Sequence, residues 1–226
     1  MNGYAYLLFD LDGTLTDPKE GICKSVQYAL KCMGIEEPDL DKLEPYIGPP
    51  LKDSFMQFHG LSKEDAEKAI AHYRVRFKDI GIFENMLYPG VQQMLAACVE
   101  QGSVLAIASS KPEVFVKRIL MHFEIDEYFT VVVGSELNGV RGKKEEVVEE
   151  ALRQLHALRG ETLTRDNTAM IGDRIFDLQG AKENGIAGVG VSFGYAPSGE
   201  LERGEAVYIA DTMEQLQQFL TKEAGI

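Results

Sequence analysis

Two kinds of hydrophobic pattern run along this chain. Uninterrupted apolar runs occur at YAYLLF (4–9), VLAIAS (104–109), FTVVVG (129–134), TAMIG (168–172), AGVGVS (187–192) and AVYIA (206–210). Continuous rather than alternating apolar character predicts short strands covered on both faces, as in a parallel sheet. Between the later runs, apolar positions recur at helical spacing. Val91, Met94, Leu95, Cys98 and Val99 form one stripe that stops at Gly102, and Val147, Val148, Ala151, Leu152 and Leu155 form another. Leu178 and Ala181 mark a short third stripe ending at Gly185. Ser110 to Glu113 has capping-box spacing and predicts that a helix starts at Ser110. The order helix, strand, helix, strand from residue 89 onward predicts an α/β fold. Its parallel sheet is sandwiched by helices, and ligands bind at the C-terminal strand ends.

Residues 16–86 follow a different pattern, without a strand-like run. Asp17-Pro18-Lys19-Glu20 predicts a helix start, with an acidic N-cap and proline at the first helical position. Ile22, Cys23, Val26, Ala29, Leu30 and Met33 then share a face, and Gly34 closes it. A second helix is predicted from Ser62, burying Ala66, Ala69, Ile70, Tyr73 and Phe77, with a Gly-Pro-Pro turn and a short helix at 47–55 between the two. The domain expectation is therefore an α/β core of residues 1–15 and 87–226, with a helical domain of 16–86 inserted after the first strand. Two chain crossings are the expected anatomy of a hinge.

The net charge of −13 argues against nucleic acid or an anionic membrane as partner, since the overall field repels both. No apolar stretch is long enough to span a bilayer, and the N-terminus lacks the features of a secretory signal. Cys23, Cys32 and Cys98 are odd in number, fit no metal-site spacing and fall on apolar faces of predicted helices. They read as reduced packing residues of a cytoplasmic protein.

The chemistry sits at two strand ends. Asp10 and Asp12 follow the first apolar run, and Asp173 follows the run 168–172, with Asp177 four residues on. Asp10 and Asp12 lean to one side if extension continues, and Asp173 and Asp177 lie one turn apart if a helix begins there. Parallel strands deliver these ends to one edge, so up to four carboxylates are expected to converge. Like charges that close disfavour joint ionisation unless cations intervene. A hard divalent ion and a lysine are the two candidates.

FDLDGTLTD and the later IGDRIFD, together with the inserted helices, resemble the haloacid dehalogenase superfamily, in particular its phosphatases with a helical C1-type cap and the phosphoglycolate phosphatase-like branch. The resemblance covers nearly the whole chain and implies a Rossmann-like core. DxDGT matches Asp10 to Thr14, GDxxxD matches Gly172 to Asp177, and LAIASS places Ser109 at the position of the phosphate-binding hydroxyl. By the residues alone the lysine is Lys143 or Lys144. The branch pattern RxxKxxV fits Arg141, Lys144 and Val147 and selects Lys144.

The resemblance implies a Mg²⁺-dependent phosphatase of small phosphomonoesters. In it Asp10 is the nucleophile forming an aspartyl-phosphate, and Asp12 is the general acid and base. Asp10, the backbone carbonyl of Asp12 and Asp173 hold Mg²⁺, Ser109 and Lys144 bind phosphate, and Asp177 orients the lysine or the metal's waters. Superfamily dehalogenases lack the acid at Asp12's position. The expected partner is a small phosphorylated metabolite, and the expected state a monomer or weak dimer. The cap is left to read the leaving group, with Lys52 as its candidate contact, while Arg74 and Arg76 read as solvent-facing and His59 as structural. The alternatives are a phosphosugar mutase, a pyrophosphatase or a phosphonate hydrolase on the same fold, and, outside enzymes, a phospho-accepting signalling domain. The segment after the first motif lacks the histidine such mutases carry, and signalling domains of that kind lack a cap.

Overall fold

In the computed structural model, which describes residues 4–221, the uninterrupted apolar runs are strands. β1 (Tyr6–Phe9) and the two-residue β2 (Thr16–Asp17) precede helices α1 (Lys19–Cys32), α2 (Leu51–His59) and α3 (Lys63–Arg76), and β3 (Met86–Leu87) follows. The remaining order is α4 (Val91–Glu100), β4 (Val104–Pro112), α5 (Glu113–His122), β5 (Phe129–Ser135), α6 (Lys144–Arg159), β6 (Thr168–Gly172), α7 (Ile175–Glu183), β7 (Ala187–Val191), α8 (Glu200–Arg203), β8 (Tyr208–Ala210) and α9 (Met213–Leu220). Six strands form one sheet in the order β5-β4-β1-β6-β7-β8, with all neighbours parallel. The chain winds outward from β1 in one direction and then in the other. The C-terminal ends of β4, β1 and β6 therefore meet where the winding reverses, the usual ligand position in open α/β sheets.

The lack of alternation in the strands has a direct cause. Tyr6 and Leu8 pack with Ala106, Val131, Val133 and Met170 against Val147, Val148, Ala151 and Leu155 of α6. Leu7 and Phe9 point to the opposite face and are buried as completely. Each buried Val or Leu side chain contributes roughly 1.5–3 kcal/mol.

The chain divides into two compact units, one made of residues up to Thr16 and from Leu87 onward, the other of Asp17–Met86. The first carries the α/β sheet and the second is the inserted helical cap. In the cap, α1 starts one residue later than expected, with Pro18 rather than Asp17 at the N-cap and no side-chain cap bond there; Asp17 Oδ1 still accepts from Lys19 N–H at 3.0 Å. Ser62 caps α3 by accepting from Asp65 N–H at 3.1 Å. Tyr46 Oη lies 2.7 Å from His59 Nδ1, which ties His59 into the cap's interior packing. Among the described residues, no helix is long and apolar enough to cross a membrane.

Four local expectations are corrected. The capping box at Ser110 does not form. β4 runs on to Pro112, which pairs with Ser135, and the Ser135 hydroxyl donates to the Ser110 carbonyl at 2.8 Å. Cross-strand bonding with β5 outcompetes the local cap. Cys32 and Val99, placed on apolar faces by spacing, are exposed near the ends of their helices. Arg76 is not solvent-facing. Its guanidinium donates twice to Glu84, at 2.7 and 2.9 Å, and once to Ser25 Oγ at 3.2 Å. The reach of a long side chain into a neighbouring carboxylate is invisible to helical periodicity.

Candidate active site

Asp10 is the first residue past β1, and its N–H donates to Ile171 O at 2.9 Å, extending the pairing with β6 by one step. The chain then folds over, and the amides of Thr14, Leu15 and Thr16 all donate to Leu11 O. Gly13 makes this turn at φ +80°, and a Cβ there would collide with the Asp173 carboxylate. Glycine thus lets the loop close directly onto the acid delivered by β6.

Asp173 is buried and accepts from Tyr195 N–H through Oδ2 at 2.8 Å. Asp177 lies in the first turn of α7, where its Oδ2 accepts from Arg174 N–H at 3.0 Å. Glu200 Oε1 accepts from Ile175 N–H at 3.0 Å and from Arg174 Nε at 2.8 Å. Two carboxylates therefore hold the start of α7, where unpaired amides and the helix dipole favour negative charge.

Asp10, Asp173 and Asp177 each offer a carboxylate oxygen within 4.8 Å of the others, and all three are buried. Lys144, the first residue of α6, places Nζ 3.0 Å from Asp10 Oδ1 and 2.7 Å from Asp177 Oδ1. It also donates to Ala108 O at 3.1 Å. The contact to Asp177 Oδ1 is an ion pair without hydrogen-bond alignment. Lys143, one residue earlier, is exposed, and its ammonium lies 3.8 Å from Glu145.

Three carboxylates converge rather than four. A bend at Leu11 breaks the extension that would have aligned Asp12 with Asp10. The Asp12 carboxylate instead holds the Lys111 ammonium at 2.7 Å from Oδ1 and 2.5 Å from Oδ2.

The electrostatics follow from burial. Burial raises the Asp173 carboxyl well above its usual range, Asp177 and Asp10 add to this, and the Tyr195 amide opposes it. Burial lifts Asp177 to about 6, with Lys144 opposing and Asp10 adding. Burial also raises Asp12, against the pull of Lys111. Burial alone would lower Lys144, but Asp10 and Asp177 outweigh it and keep the ammonium charged. A buried site with three acids and one ammonium between them is short of positive charge. Its hard oxygen donors suit a divalent cation of the Mg²⁺ type.

Ser109 is buried within β4, three residues before the strand's last residue, and its Oγ accepts from Lys111 N–H at 3.4 Å. Lys52 belongs to the helical cap, where its ammonium lies 2.6 Å from Glu67, and Arg74 is half-buried in the same unit. Sequence reading passed over Lys111, the Tyr195 amide and Glu200. For Lys111 a signal existed, since a lysine stands two residues beyond Ser109, but the local pattern read as a helix cap.

Residues 7–191 match the family described as haloacid dehalogenase-like hydrolase. The chain is 45% identical over 217 residues to a protein of Pseudomonas aeruginosa named 5'-nucleotidase, covering 96% of each chain. It is 36% identical to the tyrosine-protein kinase PtkA of Mycobacterium tuberculosis over 216 residues, covering 95% of this chain and 72% of that one. A structure described as a predicted phosphatase from Clostridium acetobutylicum superposes with a TM-score of 0.90 at 42% identity, covering 96% of this chain and 98% of that one.

Proposed function

The chain belongs to the haloacid dehalogenase-like hydrolases, and from that premise we propose that it is a cytoplasmic Mg²⁺-dependent phosphatase that hydrolyses small phosphomonoesters through an aspartyl-phosphate on Asp10. The observation that carries this reading is the buried group Asp10, Asp173 and Asp177 with Lys144 set among them, and Asp12 held apart on its own lysine.

Leu11 N–H and Lys144 Nζ both reach Asp10 Oδ1, at 2.8 and 3.0 Å, and so fix the rotation of the nucleophile's carboxylate. A weak nucleophile held in line with phosphorus gains most of its rate from that orientation. Asp10 and Asp173, with the Asp12 carbonyl, would hold Mg²⁺, and Asp177 steadies Lys144 beside them. When bound, the ion neutralises phosphoryl oxygens and aligns them with Asp10. The Ser109 hydroxyl and Lys144 take further phosphoryl oxygens. Asp12 delivers a proton to the leaving oxygen and later removes one from the water that hydrolyses the aspartyl-phosphate. The helical cap is assigned to the leaving group, with Lys52 as a candidate contact. We put nucleoside 5'-monophosphates first among substrates, supported by the identity to a protein named 5'-nucleotidase, and phosphoglycolate second.

Steady-state phosphate release from p-nitrophenyl phosphate, then from a panel of phosphorylated metabolites, tests the reading. Repeated Mg²⁺-dependent turnover is expected, with the highest kcat/KM on a nucleotide. Labelling of Asp10 without release of phosphate would replace it with a phospho-accepting domain.

A further inference from the structure

The two buried lysines of the site stand in different places. Lys144 is engaged with Asp10, Asp177 and the Ala108 carbonyl, on the nucleophile's side. Lys111 is engaged with Asp12, and its side chain is 7% exposed against 12% for that acid. Its ammonium reaches both Asp12 oxygens, at 2.5 and 2.7 Å. A cation held by both oxygens of a carboxylate lies in front of it, on the approach an incoming oxygen takes.

The backbone that carries Lys111 is anchored at several points. Ser135 Oγ donates to Ser110 O at 2.8 Å, and Pro112 pairs with Ser135 after a register shift in β4. Gly134 makes this possible, because a Cβ there would lie 2.5 Å from Lys111 O and 2.6 Å from Glu113 N. Glu113 in turn lies 3.6 Å from Arg141. Strand pairing, a glycine notch and an ion pair thus hold the residues on either side of Lys111.

We propose that Lys111 is a catalytic residue that contacts the leaving oxygen of the phosphomonoester. This rests on the reading of Asp12 as the group that serves that oxygen. As the ester enters, one Asp12 oxygen keeps its bond to Lys111 and the other turns to the ester oxygen. That places the ammonium about 3–5 Å from the leaving atom, one or two hydrogen-bond lengths away. The bond between phosphorus and the leaving oxygen breaks with its electron pair going to oxygen. Lys111 stabilises that charge while Asp12 supplies the proton, so the leaving group departs as the neutral alcohol. The two lysines then serve opposite ends of the in-line transfer, Lys144 the attacking carboxylate and Lys111 the departing oxygen.

The test is a leaving-group series with the full chain and Mg²⁺: p-nitrophenyl phosphate, phenyl phosphate and an alkyl phosphate. Lys111→Met should lower kcat/KM on the alkyl ester by about a hundredfold, the scale for loss of one preorganised donor. On p-nitrophenyl phosphate, whose leaving group needs little help, the loss should stay within about fivefold. Lys111→Arg should recover most of the loss, and Lys111→Gln replaces the methionine variant if that one melts early. Phenyl phosphate in an Asp12→Asn background separates direct contact from action through Asp12. A further loss on adding Lys111→Met supports direct contact, and no further loss overturns it. An equal loss across the ester series, or none, also overturns the proposal while leaving the phosphatase reading intact. Absence of turnover on every ester by the unaltered protein removes both.

Discussion

The α/β unit and the helical cap both carry exposed ion pairs, but the α/β unit also buries ammonium groups among its acids. In the α/β unit, Lys144 and Lys111 have side chains 4% and 7% exposed, and they pair with carboxylates buried almost as deeply. In the cap, Lys52 pairs with Glu67, Lys68 with Glu64 and Lys24 with Glu20, all at partly or largely exposed positions. Exposed pairs contribute about 0–1 kcal/mol and can be lost at little consequence. Buried ions are expensive to desolvate, and removal of one partner strands the other. Where a chain keeps several buried ions of mostly one sign, packing alone does not account for them, and the chemistry of the site does. Arg76 with Glu84 is the cap's exception, a pair with side chains only 17% and 21% exposed.

The contrast can be broken or sharpened by experiment. The largest effect is expected in the α/β unit. Asp10→Asn should cut turnover at least about a thousandfold, roughly 4 kcal/mol of barrier, with little change in the far-ultraviolet circular dichroism spectrum. Near-normal kcat would remove the nucleophile assignment. Lys144→Met should cost about 3 kcal/mol of stability by leaving Asp10 and Asp177 without their cation, and it should weaken inorganic phosphate binding as well. Urea unfolding and calorimetric titration measure the two losses, and a loss of only one separates the structural role from the ligand role.

Arg76→Ala tests the cap's exception. It leaves Glu84 partly buried without its main partner, and should cost about 2 kcal/mol in urea unfolding. A change below about 0.5 kcal/mol would return Arg76 to the class of exposed pairs.

The pH response of the site should be smaller but has a definite sign. Asp177 is lifted to about 6, mainly by burial, and Asp173 is also raised. Without a cation, the folded state therefore binds these protons more tightly than the unfolded chain does. That stabilising contribution is present at low pH and is lost as pH rises through about 6. Mg²⁺ favours the ionised acids, so the Tm gain on adding Mg²⁺ should widen as pH rises through that region. A gain independent of pH would mean that Mg²⁺ does not bind among these carboxylates. The smallest effect belongs to Lys52→Ala, which should change stability by less than about 0.5 kcal/mol. If it leaves kcat/KM unchanged across the substrate panel, Lys52 does not read the leaving group.

Much of the fold was legible because the governing forces are local or one-dimensional. The runs around Leu7, Ile107, Val133 and Met170 are uniformly apolar because helices cover both faces of the sheet, and that shows as a string of letters. Ser62 read as a helix cap and accepts the Asp65 amide at the start of α3, while the start read at Asp17 fell one residue early. Asp10, Asp173 and Asp177 could be placed at one edge because strands in parallel deliver their ends together. What escaped was set by partners distant in the chain. Asp12 and Lys111 are 99 residues apart, and Arg76 and Ser25 are 51 apart. Ser110 looked like a cap until β5 supplied competing hydrogen bonds. α9 went unread, although Thr212 caps it by accepting from Gln215 N–H.

The sequence by itself determined where the six sheet strands and most of the helices lie, that a helical cap interrupts the α/β unit, and that acids end two strands. Those outcomes depend on backbone propensity, capping and the period of apolar residues, all of which act within a few positions. Only the tertiary structure decided which cation each acid meets, that Asp12 stands apart from the other three, and how far burial raises Asp173 and Asp177. Those outcomes depend on distance and dielectric, which exist only once β4, β1 and β6 lie side by side and α6 brings Lys144 to their ends.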